Sequence, residues 1–168
     1  MIEKFKTLFF VKSSLISLYL ALTVPLPFIS IEKFKILSII IFVLGLYLII
    51  NITNDYVETC EKKISYKVSF TSRAFGRKNW EIFWKEIKSI KCLPTSQGSK
   101  VFYFIDEKGK NLLLPQRIEN FDVFLNKIEK NTNINTKNIS YISPLWTYKL
   151  LTFLSVLMII GEMSLFLV

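Results

Sequence analysis

The chain has 168 residues, 51% of them hydrophobic, with a mean hydropathy of +0.39 and a formal net charge of +9. That is room for one small globular unit beside long apolar segments, not for a fully soluble pair of domains. There is no histidine, which removes the commonest general base and the commonest neutral metal ligand. The basic excess gathers beside apolar runs, where the positive-inside rule already places it, so no nucleic-acid partner is expected.

The first 52 residues read as a transmembrane hairpin. Two apolar runs, Ser13 to Ile31 and Ile36 to Ile52, approach the ~20 residues needed to cross a hydrocarbon core. Lys4, Lys6 and Lys12 ahead of the first run also suit a secretory signal. Ala21-Leu22-Thr23 is a poor cleavage site, however, and a second run follows after the short link Glu32-Lys33-Phe34-Lys35, so an uncleaved anchor is the expectation. Pro25 and Pro27 should end or kink the first helix near its outer boundary.

Residues 53–132 change to a period of two. Ile64, Tyr66, Val68 and Phe70 alternate with Lys63, Ser65, Lys67 and Ser69, as on a half-buried strand. A polar turn with Gly76 leads to an extended Trp80–Trp84 and a strand over Ile87–Cys92, and Pro94 to Gly98 breaks the chain. Val101–Ile105, a hairpin turn over Asp106–Lys110, and Leu112–Leu114 complete a run of antiparallel strands. The inward set is predicted as Trp80, Ile82, Ile87, Ile90, Phe104, Leu113, Phe121, Leu125 and Ile128. Trp80, Trp84, Phe102 and Tyr103 either anchor a partner or, as most should, fill the core of so small a unit.

A helix over 120–130 follows, with Asn120 as N-cap, Asp122 in the first turn, and Phe121, Phe124, Leu125 and Ile128 on one face. Residues 133–143 read as a polar linker; Asn138-Ile139-Ser140 matches a glycosylation sequon. Residues 144–168 form a third span, its apolar run starting at Leu150, with Ser143 as N-cap, Pro144 at the first helical position, and Trp146, Tyr148 and Lys149 as membrane-interface anchors. Glu162 is the ionisable residue inside this span. It is either a proton or ion relay or a side chain that is neutral or paired with Lys33 or Lys35. Sixteen basic residues lie between Asn51 and Pro144 and three precede the first span, against two in the hairpin link, so the amino terminus and the middle are expected on the cytoplasmic side.

The inventory for chemistry is thin. Cys60 and Cys92 form no CxxC pair and are expected to be small buried hydrophobes rather than a disulfide or metal site. Glu81 with Glu86, or Asp106 with Glu107, offer an acid and a base, yet carboxylates on turns and strand faces are ordinarily just solvated. No phosphate-binding Gly loop, nucleophile elbow or metal-ligand cluster is present, so no catalytic residue, metal or cofactor is expected. Arg73, Arg77 and Lys78 share a loop with Gly76, a composition that can grip phosphate or simply be drawn to an anionic lipid surface.

The segments RAFGRKNW, FWKEIKSI, DEKGK and LLLPQRIENFDVFLNKIEKNT together resemble the bacterial pleckstrin-homology-like domain of membrane proteins, over roughly Val57 to Thr132. The resemblance implies an α+β membrane protein with a curved antiparallel sheet or partial barrel plugged by a carboxy-terminal helix. In eukaryotic relatives of that fold a loop comparable to the one carrying Arg73, Arg77 and Lys78 binds phosphoinositide heads. The layout, and the sequence around EIKSIK, is also similar to the photosystem I assembly factor with two amino-terminal membrane helices.

The function expected is that of a non-catalytic scaffold at the membrane surface. The alternatives are an anionic-lipid sensor and an assembly factor for a photosynthetic complex. Expected partners are the lipid bilayer, a membrane protein or a second copy of the chain, and anionic lipid headgroups. The expected location is multi-pass in a bacterial cytoplasmic membrane or a thylakoid.

Overall fold

The computed structural model describes residues 2–96 and 98–167. In chain order the elements are β1 (Glu3–Lys6), α1 (Phe9–Thr23), α2 (Leu26–Ile29), α3 (Glu32–Ile52), β2 (Tyr56–Thr59), β3 (Lys63–Lys67), α4 (Phe70–Ala74), β4 (Trp80–Phe83), β5 (Ile87–Pro94), β6 (Lys100–Asp106), β7 (Asn111–Leu113), α5 (Phe121–Thr132) and α6 (Leu145–Leu167). They form two compact units: the chain up to Leu8 with Asn54–Pro144, and Phe9–Thr53 with the chain from Leu145. The architecture is α+β, with antiparallel sheets and three long apolar helices.

The β unit is discontinuous in sequence. Lys4 and Lys6, which read as the basic approach to a span, lie in β1, and the whole helical hairpin is inserted between β1 and β2. One sheet has the order β1-β2-β3-β4 and the other β5-β6-β7. In the first, Lys6 lies opposite Tyr56, Tyr56 opposite Lys67, and Tyr66 opposite Trp80. The outer edge of β1 is covered by residues 117–119: Leu8 N donates to Arg117 O at 2.8 Å and Glu119 N to Lys6 O at 2.9 Å. An edge so covered no longer offers a template to other chains.

The amphipathic α5 supplies the core of this unit. Phe121, Phe124, Leu125 and Ile128 are buried with Phe5, Val57, Ile64, Ile82, Trp84, Ile87, Phe102, Phe104, Leu112 and Leu114. Phe5 of β1 meets Phe124 edge-on at 5.4 Å. Each such large side chain contributes about 1.5–3 kcal/mol on burial. Gln116 is buried and satisfied: its Nε2 donates to Lys100 O at 3.0 Å and Ser140 O at 2.8 Å, while its Oε1 accepts from Phe102 N at 3.2 Å.

Several expectations are corrected here. Phe70 is 80% exposed, because β3 stops at Lys67 and α4 begins. Leu113 is 50% exposed; Leu112 and Leu114 turn inward instead, with Leu112 opposite the fully buried Phe104. Trp84 is in a 3-10 turn, Trp84–Glu86, rather than extended, and its Nε1 donates to Cys60 O at 2.8 Å. Both cysteines are free, Cys92 exposed on β5 and Cys60 half-buried in the turn between β2 and β3. Asn120 makes no side-chain cap; it adopts φ 52°, a left-handed conformation that asparagine tolerates. The polar linker is docked: Ile139 is buried, Ile134 and Tyr141 pack on the core, and Thr136 Oγ1 donates to Glu129 Oε2 at 3.0 Å.

The helical unit is built from small residues and backbone contacts. Ser14, Ser17 and Ala21 of α1 are buried, letting helices approach closely. Ser13 Oγ and Thr152 Oγ1 stand 3.5 Å apart and Lys149 lies over the Phe10 ring, so α1 and α6 run parallel. On its other side α1 meets α3, where the Tyr19 hydroxyl donates to Phe42 O at 2.9 Å and a Cβ at Gly45 would run into the Tyr19 ring. α1 stops at Thr23 before Pro25, and α2 follows as a short continuation. The link Glu32–Lys35 is the first turn of α3, with Lys35 Nζ 3.3 Å from Glu32 Oε1. No residue of α3 is buried. Each of the three stretches Phe9–Ile29, Glu32–Ile52 and Leu145–Leu165 is long and apolar enough to cross a membrane.

Candidate functional site

The segment Ser69–Asn79, connecting β3 to β4, gathers the residues singled out for phosphate. Ser69 opens α4 by accepting from Ser72 N at 3.2 Å. Gly76 at φ 82° turns the chain back, and Asn79 Oδ1 accepts from Val68 N at 2.8 Å, closing the loop at its base.

Asp55 holds this loop. Its carboxylate is 5% exposed and takes four donors. Oδ1 accepts from Ser69 N and Ser72 Oγ, both at 2.9 Å. Oδ2 accepts from the Tyr66 hydroxyl at 3.1 Å and from Arg77 Nη1 at 2.9 Å. Burial, and then the negative charge of Asp55, push the Tyr66 phenol up to about 12. Tyr66 stacks on Trp80 at 5.8 Å between centroids, which ties the hub to β4.

The three basic residues therefore divide. Arg77 is committed to Asp55, while Arg73 and Lys78 are exposed and have no ion-pair partner among the described residues. Phe70 and Phe75, 80% and 69% exposed, stand in the same loop. Sequence reasoning missed Asp55, although a lone acid directly after an apolar run is a signal, and it missed the Ser69-x-x-Ser72 spacing that announces a helical turn.

Elsewhere, Glu162 Oε2 is buried with no hydrogen-bond partner among the described residues, and no ion pair among them joins it to Lys33 or Lys35. Trp146 is exposed, Tyr148 half-buried and Lys149 exposed, all in the first turns of α6. Of the carboxylates considered for catalysis, Glu81 pairs with Lys63 at 2.7 Å and Glu86 Oε2 accepts from Phe83 N at 3.1 Å. The Lys63 ammonium holds the Glu81 carboxyl below the usual range, and the carboxylate holds that ammonium above its own. Asp106 Oδ1 accepts from Lys110 N at 2.7 Å in the β6–β7 turn. These contacts give each of the three a structural task.

An α+β protein with three helices of membrane-crossing length and a braced basic, aromatic loop is the class these features define. No model of a known protein family matches the chain. The uncharacterized protein slr0269 of Synechocystis sp. is 31% identical over 147 residues, which cover 84% of this chain and 74% of that protein. The chain belongs to the same family as that protein.

Proposed function

We propose that this chain is a multi-pass membrane protein whose β unit is a pleckstrin-homology-like, non-catalytic binding module that scaffolds other membrane proteins at the bilayer surface. The observation that carries this reading is the path of the chain. It runs from β1 into α1 across only Thr7 and Leu8, from α3 into β2 across Thr53, Asn54 and Asp55, and from the β unit into α6 at Leu145. A module so tethered is confined to a thin layer, where modest affinity for a neighbouring chain becomes effective binding.

The pleckstrin-homology-like reading is supported by seven antiparallel strands grouped four and three, β1 being supplied from before the helical hairpin, and by the one amphipathic helix that follows them and packs in the core. The cytoplasmic orientation is supported by the basic residues of the β unit set against only Lys33 and Lys35 at the other end of the hairpin. The membrane is a bacterial cytoplasmic membrane or a thylakoid.

Crosslinking of the full chain in native membranes, followed by identification of the attached proteins, tests the scaffold: the expected partners are integral membrane proteins. Crosslinks to soluble proteins alone would overturn it. Recovery of the chain in aqueous extract without detergent would remove the membrane, and modification of Lys108 by an impermeant reagent applied to sealed cells would reverse the orientation.

A further inference from the structure

We propose that the helical unit holds a monovalent cation between Glu162 of α6 and the proline break at the end of α1, with the Glu162 carboxylate and the backbone oxygens of Ala21 and Thr23 as ligands. This goes beyond the scaffold reading and stands on contacts within the helical unit alone.

Helix register brings these groups together. Lys149 lies over the Phe10 ring and Thr152 Oγ1 stands 3.5 Å from Ser13 Oγ, so both contacts between the parallel helices join residues 139 apart in sequence. About 15 Å further along each axis, the same register sets Glu162 level with Thr23. Glu162 also lies two turns beyond Ser155, which is 4% exposed, on the same side of α6. On α1 the buried row is Val11, Ser14, Ser17 and Ala21, and Ala21 is completely buried. The face it occupies and the burial of its Oε2 turn the Glu162 carboxyl toward the last turn of α1.

Proline leaves acceptors without donors at that turn. Four residues after Ala21 stands Pro25, four after Thr23 stands Pro27, and neither has a backbone N–H to give. The ladder therefore closes with Val24 N on Leu20 O at 2.9 Å, and the oxygens of Ala21 and Thr23 lose their helical donors. The neighbouring hydroxyls are committed elsewhere. Thr23 Oγ1 donates to Tyr19 O at 2.6 Å, and the Tyr19 hydroxyl donates to Phe42 O.

Glu162 adds another acceptor where a donor is missing. Lys35, in the first turn of α3, is paired with Glu32, and no ion pair among the described residues joins Glu162 to a lysine. A buried carboxylate beside donorless carbonyl oxygens is costly until a positive charge is brought to it. Hard cations take oxygen ligands, and carbonyls freed where an apolar helix breaks suit an alkali-metal ion. The charge count selects a monovalent one. One carboxylate balances one positive charge, whereas a divalent ion would leave an uncompensated charge among apolar helices.

Equilibrium dialysis of the full chain in detergent against radioactive sodium, with choline chloride holding the ionic strength constant, tests the site. Sodium should bind saturably, and the melting temperature should rise by several degrees as the site fills. Glu162→Gln keeps the shape of the side chain and should abolish both effects. Pro25→Ala with Pro27→Ala returns backbone donors to Ala21 and Thr23 and should weaken sodium binding several-fold.

No saturable sodium binding by the parent overturns the proposal. Binding that survives Glu162→Gln places the ion elsewhere, and binding indifferent to the proline changes removes the carbonyl ligands; either result also overturns it. So does an infrared band of a protonated carboxyl that persists at high sodium and disappears in Glu162→Gln, since Glu162 would then meet the freed oxygens with its own proton.

Discussion

Arg77 Nη1 stands 2.9 Å from Asp55 Oδ2, and that contact decides what the basic loop can do. The arginine that sequence composition would send to a phosphate is half of an ion pair whose other half is buried. Asp55 does not depend on that pair alone, since the Ser69 amide and the Ser72 and Tyr66 hydroxyls also surround its carboxylate. The loop is a folded element held from within, and its free surface belongs to Phe70, Arg73, Phe75 and Lys78.

Asp55→Ala should therefore destabilise the β unit much more than Arg77→Ala. Removing the carboxylate leaves the Ser69 amide and the Ser72 and Tyr66 hydroxyls without their acceptor, at a cost of about 1–3 kcal/mol for each one that water does not reach, while the half-exposed Arg77 is solvated. Removing the half-exposed guanidinium leaves Asp55 with three donors and should cost about 1 kcal/mol. Denaturant unfolding in detergent, followed by the tryptophan signal of Trp80 against Tyr66, gives both values. Equal costs would mean that the hub depends on the ion pair.

Tyr66 makes the same hub sensitive to alkali. Its phenol is raised from the ordinary 10.0 to about 12 in the folded unit. Between these values the unfolded chain loses its proton while the folded one keeps it, so this contribution is complete below pH 10 and is lost as pH rises to about 12. Two pH units correspond to roughly 2–3 kcal/mol. Tyr66→Phe should be less stable than the parent at neutral pH by about 1 kcal/mol and should show a shallower decline over this window. Parallel decline of the two proteins, measured by denaturant midpoint from pH 9.5 to 11.5, would contradict the burial of the phenol.

Leu112 and Leu113 offer a test of register. Leu112→Ala removes a buried side chain opposite Phe104 and should cost about 2–5 kcal/mol, whereas Leu113→Ala should fall within about 0.5 kcal/mol of the parent. A reversed order in thermal unfolding would mean that β7 is shifted by one residue.

That pair also shows where sequence reasoning stops. In Leu112-Leu113-Leu114 every residue is equally apolar, so period-two logic has no polar position with which to choose a face. Helices of ~20 apolar residues and the 3.6-residue pattern of Phe121, Phe124, Leu125 and Ile128 are strong signals, and the α+β class was legible from them. β1 was hidden because Glu3–Lys6 is a single short strand whose partner is some fifty residues away, and its lysines also fit a topogenic reading. Phe70 was misplaced because its alternation continues past Lys67, while the Ser69 cap that ends the strand depends on Asp55, remote in sequence. The basic loop itself was visible in composition. What each of its cations faces was not, because Asp55 reaches them only through tertiary structure.

Gly45 and Tyr19 fix the contact between α1 and α3. The Tyr19 hydroxyl donates its one proton to the backbone oxygen of Phe42 at 2.9 Å, with Ile41 O at 3.3 Å as the alternative acceptor, and its ring stacks on Phe42 at 6.1 Å. Gly45 makes room for that approach, since a Cβ there would overlap the phenol. Gly45→Ala should displace Tyr19 and cost about 1–3 kcal/mol by overpacking. Tyr19→Phe keeps the ring, loses one hydrogen bond within an apolar helix pair, and should cost only about 0.6 kcal/mol. Combining Gly45→Ala with Tyr19→Ala should cost less than the sum of the single changes, because the new methyl then enters space the ring has left. Equilibrium unfolding of the helices by sodium dodecyl sulfate measures the parent, Gly45→Ala, Tyr19→Phe, Tyr19→Ala and the double variant, and strict additivity would show that Tyr19 does not occupy the surface of Gly45.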